Sequence, residues 1–532
     1  MRAPETAAAP ELARTVALER ISDYPAHFSR ATPLADALVT ATEMVSYEEF
    51  ERQIDLLARA MLAAGVRRGD TVAMLSAPSR QHLVHFMAAA RIGAAWLGLN
   101  PRYTEQELEV VLRDARPRVV LAPPVLDGRD HSATFASLRR GCLADALVVS
   151  VAEPAPGFDL GWADFLATGS EVDAASAATA AEQVDADDIA LIVYTSGTTG
   201  APKGAMLSHR SIVTTARIQC EHWWAQPLRI LNNLPINHIG GAVQLACHGI
   251  VAGGANVLMP RFDPVALPVA IRERHVTVLH QVPTMYQLLL ERGRPTSNDF
   301  ASVQTLIWSG APSPRSLVTQ LRGLCANLCT SYGQTETGGE VLYSREGARD
   351  EELSGSVGIP DPRVAVRLGD ETGEVSGSRG EVQVLGDTVM SGYHDRPADT
   401  DAAFTADGWL HTGDLAEIDD GLFRIVGRLR EMFKSGGYNV YPREVEEAIE
   451  LHPAVAMAAV LGLPDEVYGE VGEAWVLAAD VTPAELDAHC RQHLANYKVP
   501  KSFHLRTELP LLPIGKIDKV ALRRLVERTT SG

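Results

Sequence analysis

The stretch Tyr194-Thr195-Ser196-Gly197-Thr198-Thr199-Gly200-Ala201-Pro202-Lys203-Gly204 sets glycines, hydroxyls and one lysine directly behind the apolar run Ile189-Ala190-Leu191-Ile192-Val193. That composition suits a phosphate cradle. Gly197, Gly200 and Gly204 let the backbone turn its N–H groups toward an anion, while Thr195, Ser196, Thr198 and Thr199 add hydroxyl donors and Lys203 a mobile positive charge. The G-x-x-x-x-G-K-[ST] loop cannot be laid over it, because Lys203 follows Pro202 and precedes Gly204. A surface linker is the plainer reading of so many small polar residues. The strongly apolar strand on one side and a second ordered element on the other argue against it.

Further candidates lie downstream. Trp308-Ser309-Gly310-Ala311-Pro312 and Ser331-Tyr332-Gly333-Gln334-Thr335-Glu336 each follow an apolar run, which places them at the carboxyl ends of strands, where open α/β sheets bind ligands. Asn233-Leu234-Pro235-Ile236-Asn237-His238 has the same setting, although a lone histidine is more often structural. Asp414, in Trp409-Leu410-His411-Thr412-Gly413-Asp414-Leu415, reads as an acid in a tight turn that could accept two hydrogen bonds from a diol. Gly427-Arg428-Leu429-Arg430-Glu431, the glycine loop around Gly436 and Gly437, and Lys516 after a Pro/Gly turn complete the set. No G-x-S-x-G elbow, H-E-x-x-H or H-R-D is present, so serine hydrolases, zincins and kinases lack their residues.

At these residues the chain resembles the superfamily of acyl-CoA synthetases, adenylation domains and firefly-type luciferases. Its signature Tyr-Thr-Ser-Gly-Thr-Thr-Gly-x-Pro-Lys-Gly is matched throughout Tyr194–Gly204. The resemblance implies that Thr195 to Gly200 and Lys203 hold the β- and γ-phosphates of ATP, and that Gly310, Ala311 and Pro312 face adenine. It further implies that Tyr332, Gly333 and Gln334 line the nucleotide with Tyr332 stacking, that Thr335 donates to phosphate, and that Glu336 is the Mg²⁺ carboxylate. A single carboxylate is enough for a hard cation that keeps waters and phosphates. Asp414 would take the ribose hydroxyls and Arg428 would reach the ribose or phosphate, His238 would line the acyl pocket, Lys516 would be the catalytic lysine, and Gly436 and Gly437 would flank the entry of coenzyme A.

The reaction so implied joins a carboxylate to the α-phosphorus of ATP with release of pyrophosphate, then transfers the acyl group to coenzyme A with AMP as leaving group. Two anions must meet, so positioning and positive charge carry the catalysis rather than a covalent enzyme nucleophile. Loading of a carrier protein, or a ligase running mainly one half-reaction, is the alternative enzyme reading. A non-catalytic adenylate-binding protein is the alternative outside enzymes, and the joint presence of Lys203, Glu336, Asp414, Arg428 and Lys516 opposes it.

The elements that must position these residues follow from periodicity. Ser46 and Glu49 are spaced as a capping box ahead of Phe50, Ile54, Leu57 and Met61 on one helical face, and Gly65 supplies a stop. Thr71–Leu75 reads as a buried strand, a helix spans the region of Leu83 to Ile92, Thr104 and Glu107 form a second box, and Arg118–Leu121 is another strand. The alternation predicts an α/β fold with a mainly parallel sheet. Residues 169–187, rich in Ala, Glu and Asp, read as an exposed connection. Beyond Glu431 the texture changes to a helix from Pro442, strands at Met457–Leu461 and Ala474–Ala478, and a helix from Pro483. This predicts a large multi-sheet N-terminal domain over 1–429 and a small mobile α+β domain over 430–532. The family hinge is usually Asp or Lys, so Arg430 is a departure, and a salt bridge from it would bias one orientation.

Composition bounds the partners. A chain of 532 residues exceeds a single core. A formal charge of −19 argues against nonspecific nucleic-acid binding and anionic membrane surfaces. Cys142, Cys220, Cys247, Cys325, Cys329 and Cys490 are scattered, and the lone Cys325-x-x-x-Cys329 reads as buried reduced thiols rather than a metal site. No signal peptide, spanning run or peroxisomal ending is present, which predicts a cytoplasmic protein without integral membrane association. Gly240, Gly241 and Ala242 beside His238 leave room for a medium or bulky, largely apolar acid.

Overall fold

The computed structural model describes residues 14–195, 202–369, 377–512 and 516–530. Strands buried on both faces need cover from helices on each side. Thr71–Leu75, Ala95–Leu99 and Val119–Ala122 are buried at every position and pair in parallel at the centre of a seven-stranded sheet. Ile189–Thr195 joins them in parallel, and Lys203–Ser208 returns beside it antiparallel. The helices Tyr47–Ala63 and Arg80–Arg91 lay Phe50, Ile54, Leu57, Met61, Phe86 and Met87 into the same core as Trp96.

A nine-stranded sheet carries the second half of the site. Val278–Gln281, Thr305–Ser309 and Leu328–Gln334 are parallel neighbours, so the turns that follow the last two open side by side. Gly339–Tyr343 then doubles back antiparallel on Leu328–Gln334. The parallel centre predicted from the alternation is present in both large sheets; antiparallel strands close both edges of the nine-stranded sheet and one edge of the seven-stranded sheet, whose other edge, Leu147–Ser150, is parallel. Arg379–Leu385, Leu410–Asp419 and Leu422–Arg428 belong to a four-stranded antiparallel sheet. The small domain builds its own sheet from Phe433–Ser435, Tyr438–Val440, Val455–Asp465, Gly469–Ala478 and Ser502–Arg506. Val440, Val445, Ile449, Val460, Val476 and Leu486 form its core under the helices Pro442–Glu450 and Pro483–His493.

Local expectations fared unequally. Thr104 and Glu107 form the reciprocal box, and so do Thr482 and Glu485. Ser46 caps its helix by accepting from Glu49 N at 3.3 Å, but the Glu49 carboxylate turns away to Arg52 and Gln53, so the box is only half made. The guanidinium outcompetes a backbone N–H for the carboxylate because its hydrogen bonds are charge-assisted. Residues 169–187 are exposed in large part, yet Ala174–Glu182 is a helix capped by Asp173, since alanine outweighs the missing apolar stripe. Cys220, Cys247, Cys325, Cys329 and Cys490 are buried, and all six cysteines are free. Among the described residues no helix is long and apolar enough to cross a membrane.

Candidate functional site

Ser196, Gly197, Thr198, Thr199 and Gly200 lie outside the described residues, which resume in the strand Lys203–Ser208 after the strand Ile189–Thr195. Thr195 and Lys203 face each other across the hairpin. Lys203 is not the free charge read from the sequence. Its Nζ is paired with Asp399 and lies 5.3 Å from the centre of the Tyr393 ring. The Tyr393 hydroxyl donates to Glu336 Oε1 at 3.0 Å, and Thr195 Oγ1 donates to the same oxygen at 3.4 Å. Burial and the Glu336 charge push the Tyr393 phenol up, which keeps it a donor. The glutamate thus stands at the mouth of the glycine hairpin with a second oxygen to offer a cation.

Asp414 is not in a free turn. It lies inside the strand Leu410–Asp419, opposite Arg428, because the ladder to Arg379–Leu385 shifts register there and turns the carboxylate inward. Arg428 Nε meets Asp414 Oδ1 at 2.8 Å, and the Tyr332 hydroxyl donates to Oδ2 at 2.8 Å. Tyr332 is buried, and its phenol is pushed well up by that burial and by Asp414. Gly333 and Gln334 continue the strand of Tyr332, Thr335 is buried just past its end, and Gln334 N donates to Thr337 Oγ1 at 2.8 Å.

Lys516 of the small domain reaches the turn Gly310-Ala311-Pro312 that follows Thr305–Ser309. A Cβ added to Gly310 would lie 2.8 Å from Lys516 Cε and 3.2 Å from Nζ, and Gly310 has a φ of +82°. Only glycine admits both the backbone turn and the close approach of the lysine. Burial, and then the Arg428 charge, lower the Lys516 amine to about 8, with Asp414 opposing. Burial and the nearby Lys516 charge lower His238 to about 4, so its ring is neutral, and Nδ1 accepts from Gly240 N at 3.3 Å.

Gly240 and Gly241 do not create room beside His238. A Cβ on Gly241 would lie 2.5 Å from Pro235 O, and one on Gly240 would lie 3.0 Å from Leu234 Cδ1. These glycines let the π-helix Gly240–Cys247 pack flush on 234–235. Gly436 and Gly437 sit in the small-domain hairpin between Phe433–Ser435 and Tyr438–Val440, where Gly436 N donates to Tyr468 O at 2.9 Å. Among the described contacts nothing joins them to Lys516. Sequence reading passed over Tyr393 and Asp399, which have no motif, and over Glu340, whose only signal is a carboxylate inside the apolar run Gly339-Glu340-Val341-Leu342-Tyr343.

Residues 26–394 match the family described as AMP-binding enzyme, and residues 444–516 match the AMP-binding enzyme C-terminal domain. The chain belongs to the AMP-binding enzyme family. Among its AMP-binding relatives is a feruloyl-CoA synthase of Amycolatopsis sp, 36% identical over 95% of this chain and 98% of that one. The 3-[(3aS,4S,7aS)-7a-methyl-1,5-dioxo-octahydro-1H-inden-4-yl]propanoyl:CoA ligase of Rhodococcus jostii is 35% identical over 93% of this chain and 96% of its own. The ATP-bound MatB of Rhodopseudomonas palustris superposes with a TM-score of 0.81 at 30% identity, covering 95% of this chain and 98% of that one. This AMP-binding enzyme is an ATP-dependent, AMP-forming acid–thiol ligase that uses ATP, Mg²⁺ and coenzyme A.

Proposed function

We propose that this acyl-CoA ligase activates a ring-bearing acid joined to its carboxyl group by a short carbon linker. The two relatives above are named for acids of that shape. The observation that carries the site assignment is Lys516 resting on Gly310 within the electrostatic reach of Asp414, Arg428 and His238. Lys516 bridges the acid's carboxylate and the α-phosphate, drawing the two anions together. The carboxylate oxygen attacks the α-phosphorus, and the bond to the β-phosphate oxygen breaks with its electron pair leaving as pyrophosphate. Asp414 takes the ribose hydroxyls, held in place by Arg428 and Tyr332. Lys203 exchanges Asp399 for the β- and γ-phosphates that the Ser196–Gly200 loop cradles. Thr335 donates to the α-phosphate, and Tyr332 packs on adenine beside the 310–312 turn. The Glu336 donor set suits Mg²⁺, which supplies neutralisation of phosphate charge when bound. Neutral His238 lines the acid's path and moves no proton.

In the second half-reaction the thiol of coenzyme A attacks the acyl carbonyl, AMP leaves, and the small domain turns about a boundary at Arg430 to bring Gly436 and Gly437 to the thiol's path. Among the described residues Arg430 makes no ion pair, and the adjacent Glu431 pairs instead with Lys519 at 2.5 Å. A cytoplasmic seat is in keeping with six free thiols. A panel of carboxylic acids, scored for pyrophosphate release with and without coenzyme A, tests the acid class. Ring acids on short linkers are expected to turn over about tenfold or more faster than unbranched acids of equal carbon number. The opposite order removes the ring assignment.

The Lys516 amine has a pH consequence. Its free-enzyme value of about 8 lies below the usual lysine range, so the charged form that bridges the anions is lost as pH rises through about 8. The pyrophosphate-release kcat/KM is therefore expected to fall about tenfold per pH unit above that point, because kcat/KM reports the free enzyme. The kcat limb should appear at higher pH, since bound phosphates favour the charged amine. Lys516→Arg should lose the kcat/KM limb, and an unchanged limb in that variant would assign it to another group.

A further inference from the structure

Lys203, the phosphate lysine of the proposed adenylation, is held by an acid 196 positions away that belongs to no signature. Its Nζ pairs with Asp399 and lies 5.3 Å from the centre of the Tyr393 ring, within range of a cation–π contact. The hydroxyl of the same ring donates to Glu336 Oε1 at 3.0 Å. One aromatic side chain therefore carries the phosphate lysine on its face and the proposed metal carboxylate on its hydroxyl, and Asp399 closes the group.

The backbone puts Asp399 there without help from its side chain. Gly392–Tyr393 pairs antiparallel with Lys203–Ser208, and His394 N donates to Gly204 O at 2.8 Å. The helix Pro397–Ala403 is fastened to that strand by Thr400, whose Oγ1 accepts from Tyr393 N and donates to Arg396 O, each at 2.9 Å. Gly392 lies so close to it that a Cβ there would meet Thr400 Cγ2 at 2.7 Å. No residue of the helix is buried, so the Lys203–Asp399 pair is not a core contact on which the fold depends. Its two members differ in exposure, 13% for the Lys203 side chain and 33% for that of Asp399. The shielded ammonium needs an anion beside it, whereas the more exposed carboxylate can take water when it lets go. That asymmetry suits an exchange of anions on one lysine.

We infer that Asp399 is a positioning residue that competes with phosphate for Lys203: it keeps the ammonium on the Tyr393 face, yields it to the β- and γ-phosphates of ATP, and takes it back as pyrophosphate leaves. This rests on the assignment of Lys203 to those phosphates and adds a second anion to the same cation. Ion pairs are exchanged at Asp399, with no proton moved and no covalent bond changed. Because the acid opposes every phosphate that Lys203 holds, it weakens ATP and pyrophosphate alike, and its return speeds the exit of the product. Its effect therefore falls on the binding of both phosphate ligands rather than on bond making at the α-phosphorus.

Asp399→Asn tests this, since the amide keeps the shape and removes the charge. The KM for ATP in acid-dependent adenylation and the inhibition constant of pyrophosphate against ATP are each expected to fall about tenfold without a rise in kcat, because the variant loses both a competitor for Lys203 and a like charge beside the phosphates. A pair that merely holds the lysine in place predicts the opposite sign, so constants that rise or stay at the parent values overturn the inference. Asp399→Ala repeats the measurement should the amide variant fold poorly. Lys203→Met separates the inference from its premise. If that variant leaves both constants at the parent values, the lysine does not hold the phosphates, and the role of Asp399 fails with that assignment. If it raises both while Asp399→Asn lowers neither, the assignment of Lys203 stands and the role of Asp399 alone is overturned. In the double variant the effect of Asp399→Asn should shrink to about twofold or less, because the lysine that couples the two anions is gone. An undiminished tenfold shift in that background would trace the effect to bulk charge and overturn the exchange.

Discussion

Lys516→Ala is expected to lower pyrophosphate release from acid plus ATP by about 10³-fold, yet to leave conversion of supplied acyl-AMP and coenzyme A to thioester within about tenfold of the parent. The lysine lies on the Gly310 turn with Arg428 and Asp414 close enough to set its charge, so its removal leaves two anions to meet without a bridging cation. The thioester step attacks a carbonyl already activated by AMP and needs no such bridge. Gly437→Trp should show the reverse pattern. Gly437 has a φ of +87° and open space around its Cβ position, so the bulk would project from the hairpin rather than into the core, although the backbone conformation adds strain. Thermal unfolding of both variants beside the parent separates that strain from the kinetic effect. Equal losses of both half-reactions in both variants would falsify the division of labour between the two faces of the small domain.

Glu336→Gln is expected to raise the Mg²⁺ concentration for half-maximal adenylation by about tenfold or more and to slow the saturated rate by about 10²-fold. The amide keeps one oxygen for the Tyr393 hydroxyl and Thr195, which sit at 3.0 and 3.4 Å from Oε1, but removes the negative charge on which the proposed cation site depends. The fold around it should stay intact, since both donors keep an acceptor. A Mg²⁺ titration of the variant that overlays the parent's would place the metal on other groups. Titration at fixed free ATP separates metal affinity from nucleotide affinity.

Much of the frame was legible because it is local. Thr71–Leu75 is a strand at the residues where the apolar run predicted one, Thr104 and Glu107 make their box, and Pro442 opens a helix. Each depends on neighbours within a turn or a strand, where hydrophobic period and backbone sterics act directly. The signature at Tyr194–Gly204 marked the family for a similar reason, since a tight glycine-rich turn tolerates few residue types.

Tertiary structure decided which groups face one another and what charge they carry. Lys203 meets Asp399 across 196 positions, and Glu340 meets Gln219 across 121, with no periodic signal linking either pair. Asp414 looked like a turn residue because Gly413 precedes it, whereas strand pairing over Leu410–Asp419 gave it both Arg428 and Tyr332. Gly240 and Gly241 looked like space because glycine is small, yet Leu234 and Pro235 fill the place where their side chains would be. Sequence by itself determined the most strongly periodic strands and helices and the family signature, whose requirements are local. The lowered amine of Lys516 and the raised carboxyl of Glu340 were decided only by folding, because desolvation depends on every element that packs against a group.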